Sequence, residues 1–297
     1  MTTMRAMATD RVGPGAVLRP HTLPVKAPVD GEVLIRVMAA AVNPADLGML
    51  AGNYRWYDEL RLPLVPGYDV AGVVEGGDWA AGAAVIASTG HSRTQVGGYA
   101  EFVTLPAAQV AAAPANLDWT EAATLPLAGL TAYQALDLLD LAPGSTLLVN
   151  GPRGAVGRFA TELAVARGIT VLTPDTGEAP AADSAGRPAS GSADAALDVV
   201  GGPRARAAFA AVRDGGRYVT TVPEFWVPGG QFTADRGIEP RIVRAEPDGR
   251  MLDRLARAAE AGQLTATVAK TLALTEAADA LDLLQAGGVR GKLVLVP

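Results

Sequence analysis

The 297-residue chain contains no cysteine, which excludes disulfides and any metal site built on thiolates. Histidine is nearly absent as well. His21 and His91 are the only two, and neither lies in a spacing that completes the three-ligand set of a catalytic zinc. Positive charge is scarce: 25 Lys and Arg stand against 31 Asp and Glu, a net charge of −6, and the only lysines are Lys26, Lys270 and Lys292. Such a balance offers no electrostatic footprint for nucleic acid or an anionic membrane. No apolar run approaches a membrane span, and the opening MTTMRAMATD lacks the apolar core of a signal peptide. The expectation is a cytoplasmic protein without metal, nucleic-acid or membrane partners. Apolar residues, by contrast, are plentiful. At 49% hydrophobic and 19% charged, the chain suits a globular protein with a substantial core, in one large domain or two.

The best-defined stretch is Leu147 to Gly168, LLVNGPRGAVGRFATELAVARG. An apolar run, Leu147 to Val149, enters a turn carrying Gly151, Gly154 and Gly157. Val156, Phe159, Ala160, Leu163 and Ala164 then recur on one helical face. Strand, glycine turn and helix together point to a dinucleotide site, because peptide N–H groups at a helix start and the positive end of its dipole both favour a pyrophosphate. The bland alternative is a turn whose glycines serve conformation alone. Pro152 removes one N–H donor from the turn, and Arg153 is a candidate to restore affinity by pairing with phosphate.

Residues 1–118 read as mostly β, with strands at Glu32 to Val42, Val70 to Val74 and within Gly97 to Pro106. A helical pattern follows Asp118, starting at a capping-type Thr120 and running through Leu125, Leu130, Leu136 and Leu139. Further strands are expected at Thr170 to Thr173, Ala195 to Val200, Arg217 to Val222 and Ile242 to Arg244, with a helix at Met251 to Ala261. A short helix and the strand KLVLV close the chain. Strands alternating with helices predict a parallel, doubly wound sheet, an α/β fold. One stretch departs from this. PDTGEAPAADSAGRPASGSAD, residues 174–194, has no Leu, Ile, Val, Met or aromatic residue, so a crossover helix there would have no stripe to bury; a surface loop is expected.

Several segments in this order resemble the medium-chain dehydrogenase/reductase superfamily, in its zinc-free quinone oxidoreductase and enoyl reductase branch. They are VNPADLGMLAGNY, PLVPGYDVAGVV, GGYAEFVTLP, EAATLPLAGLTAYQAL, NGPRGAVG, LDVVGG and the terminal GKLVLV. The resemblance spans nearly the whole chain. It implies a GroES-like β-barrel catalytic domain (residues 1–118 and 265–297) around a Rossmann domain (119–264) shortened at 174–194. It also implies an active site in the cleft and an edge-to-edge homodimer, for which Phe225 and Trp226 are interface candidates; the alternative is that these two line the substrate pocket.

Zinc-dependent relatives carry a Cys in the segment matching NPADL and a His-Glu pair where this chain has Tyr68 and Asp69. The resemblance therefore implies a metal-free reduction of an activated C=C, in an enone, quinone or enoyl thioester. Tyr54, in a GNY context, is the candidate proton donor, or else a half-buried tyrosine with an ordinary hydrogen bond. Asn43 is assigned to orient a substrate carbonyl or the nicotinamide ribose, or merely to fix the turn before Pro44. Asp46 reads as a helix cap. Gly151, Gly154, Val156 and Gly157 are read as the phosphate turn, and the resemblance implies that Thr131 and Lys292 approach the nicotinamide side, the alternatives being a helix-interior threonine and a solvated charge. Asp175 lies near the spacing, about twenty residues past the turn, that favours the ribose hydroxyl of NADH. Yet PDTG is a good turn in itself, the branch more often takes NADPH, and Arg187 is a candidate for its 2′-phosphate. NADPH is the expected cofactor, with NADH possible. Two rival readings remain open: a non-redox cyclase or isomerase of a tailoring pathway, and a non-catalytic ligand-binding protein on the same scaffold.

Overall fold

A computed structural model of the chain describes residues 2–52, 60–173, 191–222 and 234–297, apart from the side chains of residues 92 and 93. Tyr54, Asp175, Arg187, Phe225 and Trp226 lie outside the described residues, as does most of the apolar-poor stretch. In chain order the elements are β1 (Thr3–Ala8), β2 (Arg19–Pro24), β3 (Glu32–Ala41), α1 (Pro44–Leu50), β4 (Asp69–Gly77), β5 (Ala84–Ser88), α2 (His91–Thr94), β6 (Phe102–Pro106), β7 (Val110–Ala112), α3 (Trp119–Ala122) and α4 (Pro126–Leu139). Then follow β8 (Thr146–Asn150), α5 (Ala155–Ala166), β9 (Thr170–Leu172), β10 (Ala193–Asp198), α6 (Gly202–Ala211), β11 (Val212–Thr220), β12 (Pro240–Ile242), α7 (Gly249–Glu260), β13 (Val268–Ala273), α8 (Ala277–Ala286) and β14 (Lys292–Val296). None of the described helices is long and apolar enough to cross a membrane.

These elements form two compact units, Met1–Leu130 with Glu246–Pro297, and Thr131–Ala245. The boundaries differ from those expected at 118/119 and 264/265, for a local reason. Glu260, at the end of α7, accepts the Ala115 N–H at 2.9 Å, which ties that helix to the segment following β7. Asp69 likewise accepts the Leu127 N–H at 2.6 Å and draws the start of α4 into the first unit.

The first unit is the GroES-like one. Its seven-stranded sheet, among the described residues, runs β13-β14-β3-β4-β5-β7, with β6 also paired to β3. All pairings are antiparallel except that of β13 with β14. Alternate residues of β3, Val33, Ile35 and Val37, point into one core with Val70, Val85 and Leu293, as period-2 patterning requires. Fully burying side chains of this size contributes about 1.5–3 kcal/mol apiece.

The second unit is the Rossmann-like one. Its sheet is parallel throughout, in the order β12-β11-β10-β8-β9 among the described residues. The chain moves from β8 outward to β9, then returns to the other side of β8 for β10. The order therefore reverses between β8 and β10, and ligands of such sheets bind beyond the carboxyl ends of the strands at that reversal. β10 begins at Ala193, inside the stretch expected to be loop. Ala193 is buried and pairs with Val212, so its neighbours supply the strand that its own composition does not.

One expected helix is in fact two. The cap is Asp118 rather than Thr120: its carboxylate accepts the Glu121 N–H at 2.9 Å, the Glu121 carboxylate accepts the Asp118 N–H at 3.1 Å, and Thr120 donates its hydroxyl to Asp118. Pro126 then starts a new helix where its missing N–H costs nothing. Asp118→Ala is expected to lower the unfolding free energy by roughly 1 kcal/mol, read as a reduced urea midpoint with an unchanged slope.

Candidate functional site

In the first unit the chemistry-bearing residues gather in one buried cluster. Asn43 leaves β3 in an extended conformation immediately before α1. Its amide Nδ2 donates to the Ala41 carbonyl at 3.2 Å and to Asp69 Oδ2 at 2.8 Å, while its Oδ1 accepts a hydrogen bond from the Lys292 ammonium. Lys292 opens β14 and also pairs with Asp69 Oδ2 at 3.1 Å. The amide orientation is fixed by these partners, because a flipped amide would set its oxygen against a carboxylate and its NH2 against an ammonium. Both Asn43 N–H groups are therefore used inside the protein, and only a lone pair on Oδ1 remains. Lys292 keeps one N–H beyond the two bonds it makes among the described residues.

Asp46 sits in the first turn of α1 and does cap it, accepting the Asn43 N–H at 2.8 Å. It does more than cap. The same carboxylate accepts the Tyr99 hydroxyl at 2.9 Å and the Gly67 N–H at 3.1 Å, fully out of water. Burial pushes its pKa up to about 7; the bonds from Asn43 and Tyr99 oppose this, and the Asp69 charge adds to it. Tyr99 is held well above the ordinary phenol value, chiefly by burial and then by Asp46. His91 packs edge-on against Tyr68, with ring centroids 5.6 Å apart. Burial pushes its pKa down to about 3, against a smaller opposing contribution from the Val96 backbone, so the imidazole is neutral.

In the second unit the glycine turn has the expected form. Gly151 adopts φ +95°, and a Cβ there would lie 2.5 Å from Val200 and 2.7 Å from Val199. At Gly157 a Cβ would fall 2.1 Å from the Gly151 carbonyl oxygen, so only glycine lets α5 start this close to the turn. Gly154 is the N-cap of α5 and has no side chain to occupy the first-turn N–H groups. A Cβ at that position would approach nothing closer than 3.7 Å. This open helix start fits a dinucleotide pyrophosphate. Arg153 is exposed beside it, Val156 lies in the first turn, and Thr131 is buried in α4.

Two polar residues of the first-unit cluster, Asp69 and Tyr99, were not among the sequence candidates. For Asp69 the available signal was a lone acidic residue at one end of an apolar strand, in YDVAGVV, a pattern that burial tolerates only where partners wait.

Asp46 generates a testable pH dependence. Its pKa is raised on folding, so its stabilising contribution is complete below the unfolded value near 4 and is lost as pH climbs through about 7. Asp46→Asn keeps the shape without ionising. Its unfolding free energy relative to wild type is expected to be higher at about pH 8 than at about pH 5 by urea denaturation, and a constant difference would contradict the raised pKa.

Comparison with known proteins agrees with this architecture. Residues 29–115 match the alcohol dehydrogenase GroES-like domain family, and residues 175–295 match the zinc-binding dehydrogenase family. The 2-methylene-furan-3-one reductase of Solanum lycopersicum is 30% identical over 295 residues, covering 90% of this chain and 72% of that protein. The quinone oxidoreductase of Homo sapiens is 36% identical over 172 residues, 57% of this chain and 52% of that one. The solved structure of a quinone oxidoreductase from Coxiella burnetii superposes with a TM-score of 0.82 at 26% identity and covers both chains fully. The zinc in the second family's description does not fit the residues present. The chain has no cysteine, no group of three or more His, Asp or Glu among the described residues could hold a metal, and an ammonium already occupies Asn43 and Asp69. The chain belongs to the medium-chain dehydrogenase/reductase superfamily of oxidoreductases, in its quinone oxidoreductase branch.

Proposed function

We propose that the protein is a zinc-independent, NADPH-dependent reductase of an activated C=C in an enone, quinone or enoyl thioester, and that it works in the cytoplasm. The observation that carries this reading is the open N-terminus of α5, capped by Gly154 at the point where strand order reverses. Gly151, Gly154, Val156 and Gly157 hold the pyrophosphate through the turn and the first-turn N–H groups, with Arg153 pairing to phosphate. Asp175 and Arg187 are the candidates for the adenosine ribose and its 2′-phosphate; NADH is the alternative cofactor. The Thr131 hydroxyl faces the nicotinamide.

When bound, the dinucleotide supplies a hydride to the β-carbon of the substrate. The remaining steps belong to the chain. Asn43 has no N–H left for a substrate carbonyl, which favours the other role, accepting a ribose hydroxyl at Oδ1. Lys292 keeps one N–H for an oxygen of the bound ligands, and Asp69 holds its ammonium in place. Tyr54 then gives its phenolic proton to the α-carbon, and the phenolate is reprotonated from solvent. Hydride plus proton balance the reduction of C=C to CH–CH.

NADPH oxidation is expected with menadione, 2-cyclohexen-1-one or a crotonyl thioester, and Tyr54→Phe is expected to lower kcat on the order of 10²-fold or more. Full turnover by that variant would remove the assigned role of Tyr54. A wild-type protein that binds no NADPH would favour the non-redox alternative.

The homodimer belongs to the same proposal. β12 is the outer strand of the parallel sheet among the described residues and offers an edge to a second copy. Light scattering after size exclusion is expected to give twice the chain mass, and a monomer at micromolar concentration would overturn this.

A further inference from the structure

Asp198 ends β10 almost fully buried, and among the described residues no Lys or Arg pairs with it. Five neutral donors converge on it instead. Oδ1 accepts Asn150 Nδ2 at 2.6 Å and the N–H groups of Val200 and Gly201 at 3.1 and 3.0 Å. Oδ2 accepts the hydroxyls of Tyr218 at 3.1 Å and Thr220 at 3.2 Å. The two oxygens divide the work. Tyr218 and Thr220 come from β11 and fix the carboxylate. Asn150 is the last residue before the glycine turn, and Val200 and Gly201 form the turn after β10.

Oδ1 therefore ties together the two turns that face each other across the strand-order reversal. Their packing is already tight, because Gly151 has no room for a Cβ against Val199 and Val200. The tie also turns the Val200 and Gly201 N–H groups inward, where they cannot serve a ligand. Anion binding on this side is left to the first turn of α5.

Building on the functional reading above, we propose that Asp198 is a positioning residue for the dinucleotide. Through Asn150 and the Val200–Gly201 turn it sets the opening into which the pyrophosphate enters. Its role is geometric, and its negative charge is dispensable. An amide at this position keeps an oxygen for Asn150, Val200 and Gly201 and presents an NH2 that the Tyr218 and Thr220 hydroxyls can accept.

The test is NADPH titration by fluorescence on the full chain, with melting temperature measured alongside. Asp198→Ala and Asn150→Ala are expected to raise the Kd for NADPH about tenfold or more, and Asp198→Asn to stay within about threefold of wild type. Should Asp198→Ala fail to fold, Asn150→Ala carries the test, since it cuts the tie and leaves the carboxylate its other four donors. A folded Asn150→Ala that binds NADPH like wild type overturns the proposal. So does an Asp198→Asn as weak as Asp198→Ala, because the charge would then be what matters. A wild-type protein that binds no NADPH overturns the functional reading and this proposal with it, an outcome distinct from the first two.

Discussion

The first unit depends on one carboxylate that water does not reach. Asp69 gathers the Asn43 amide, the Lys292 ammonium and the Leu127 N–H, from three distant segments of the chain. Removing one member of a buried ion pair typically costs about 3–5 kcal/mol, because the other charge is stranded, whereas an apolar replacement of the whole pair is often neutral. The pair is thus a weak explanation for stability. Its effect is geometric: it dictates which way the Asn43 amide faces and leaves a single acceptor and a single donor for anything that binds.

Three buried carboxylates in this protein show three ways of managing the same charge. Asp69 has a cation. Asp198 has five neutral donors and, among the described residues, no cation; the donors spread its charge over two turns and a strand. Asp46 has three donors and a like-charged neighbour, and there burial outweighs hydrogen bonding, so its affinity for a proton moves to near neutrality. Burial, partner charge and donor count each decide one case.

Much of the architecture was legible because it follows local rules. The apolar run Leu147 to Val149, the glycine turn and the helical stripe after it needed no knowledge of the rest of the chain. The limits of legibility were equally physical. Ala193 and Asp194 read as loop because residues 174–194 offer no apolar stripe to bury, yet both lie in β10, where Ala193 pairs with Val212 of β11. Thr120 and Asp118 both suit a cap, and only the reciprocal bond with Glu121 selects Asp118. Lys292 stood out as one of three lysines beside a glycine. Its pairing with Asn43 and Asp69 was not legible, because those residues lie at the opposite end of the sequence.

That separation has a consequence for biogenesis. Lys292 and Asn43 are 249 residues apart, and β14 pairs with β3 at Ala40 and Ala41. During synthesis the whole second unit emerges before that partner strand exists. Folding domain by domain would leave the early residues waiting with an unsatisfied strand edge and Asp69 without its ammonium partner until β14 leaves the ribosome. The nascent chain is then most vulnerable to edge-to-edge aggregation in the interval when its Rossmann-like half is already complete.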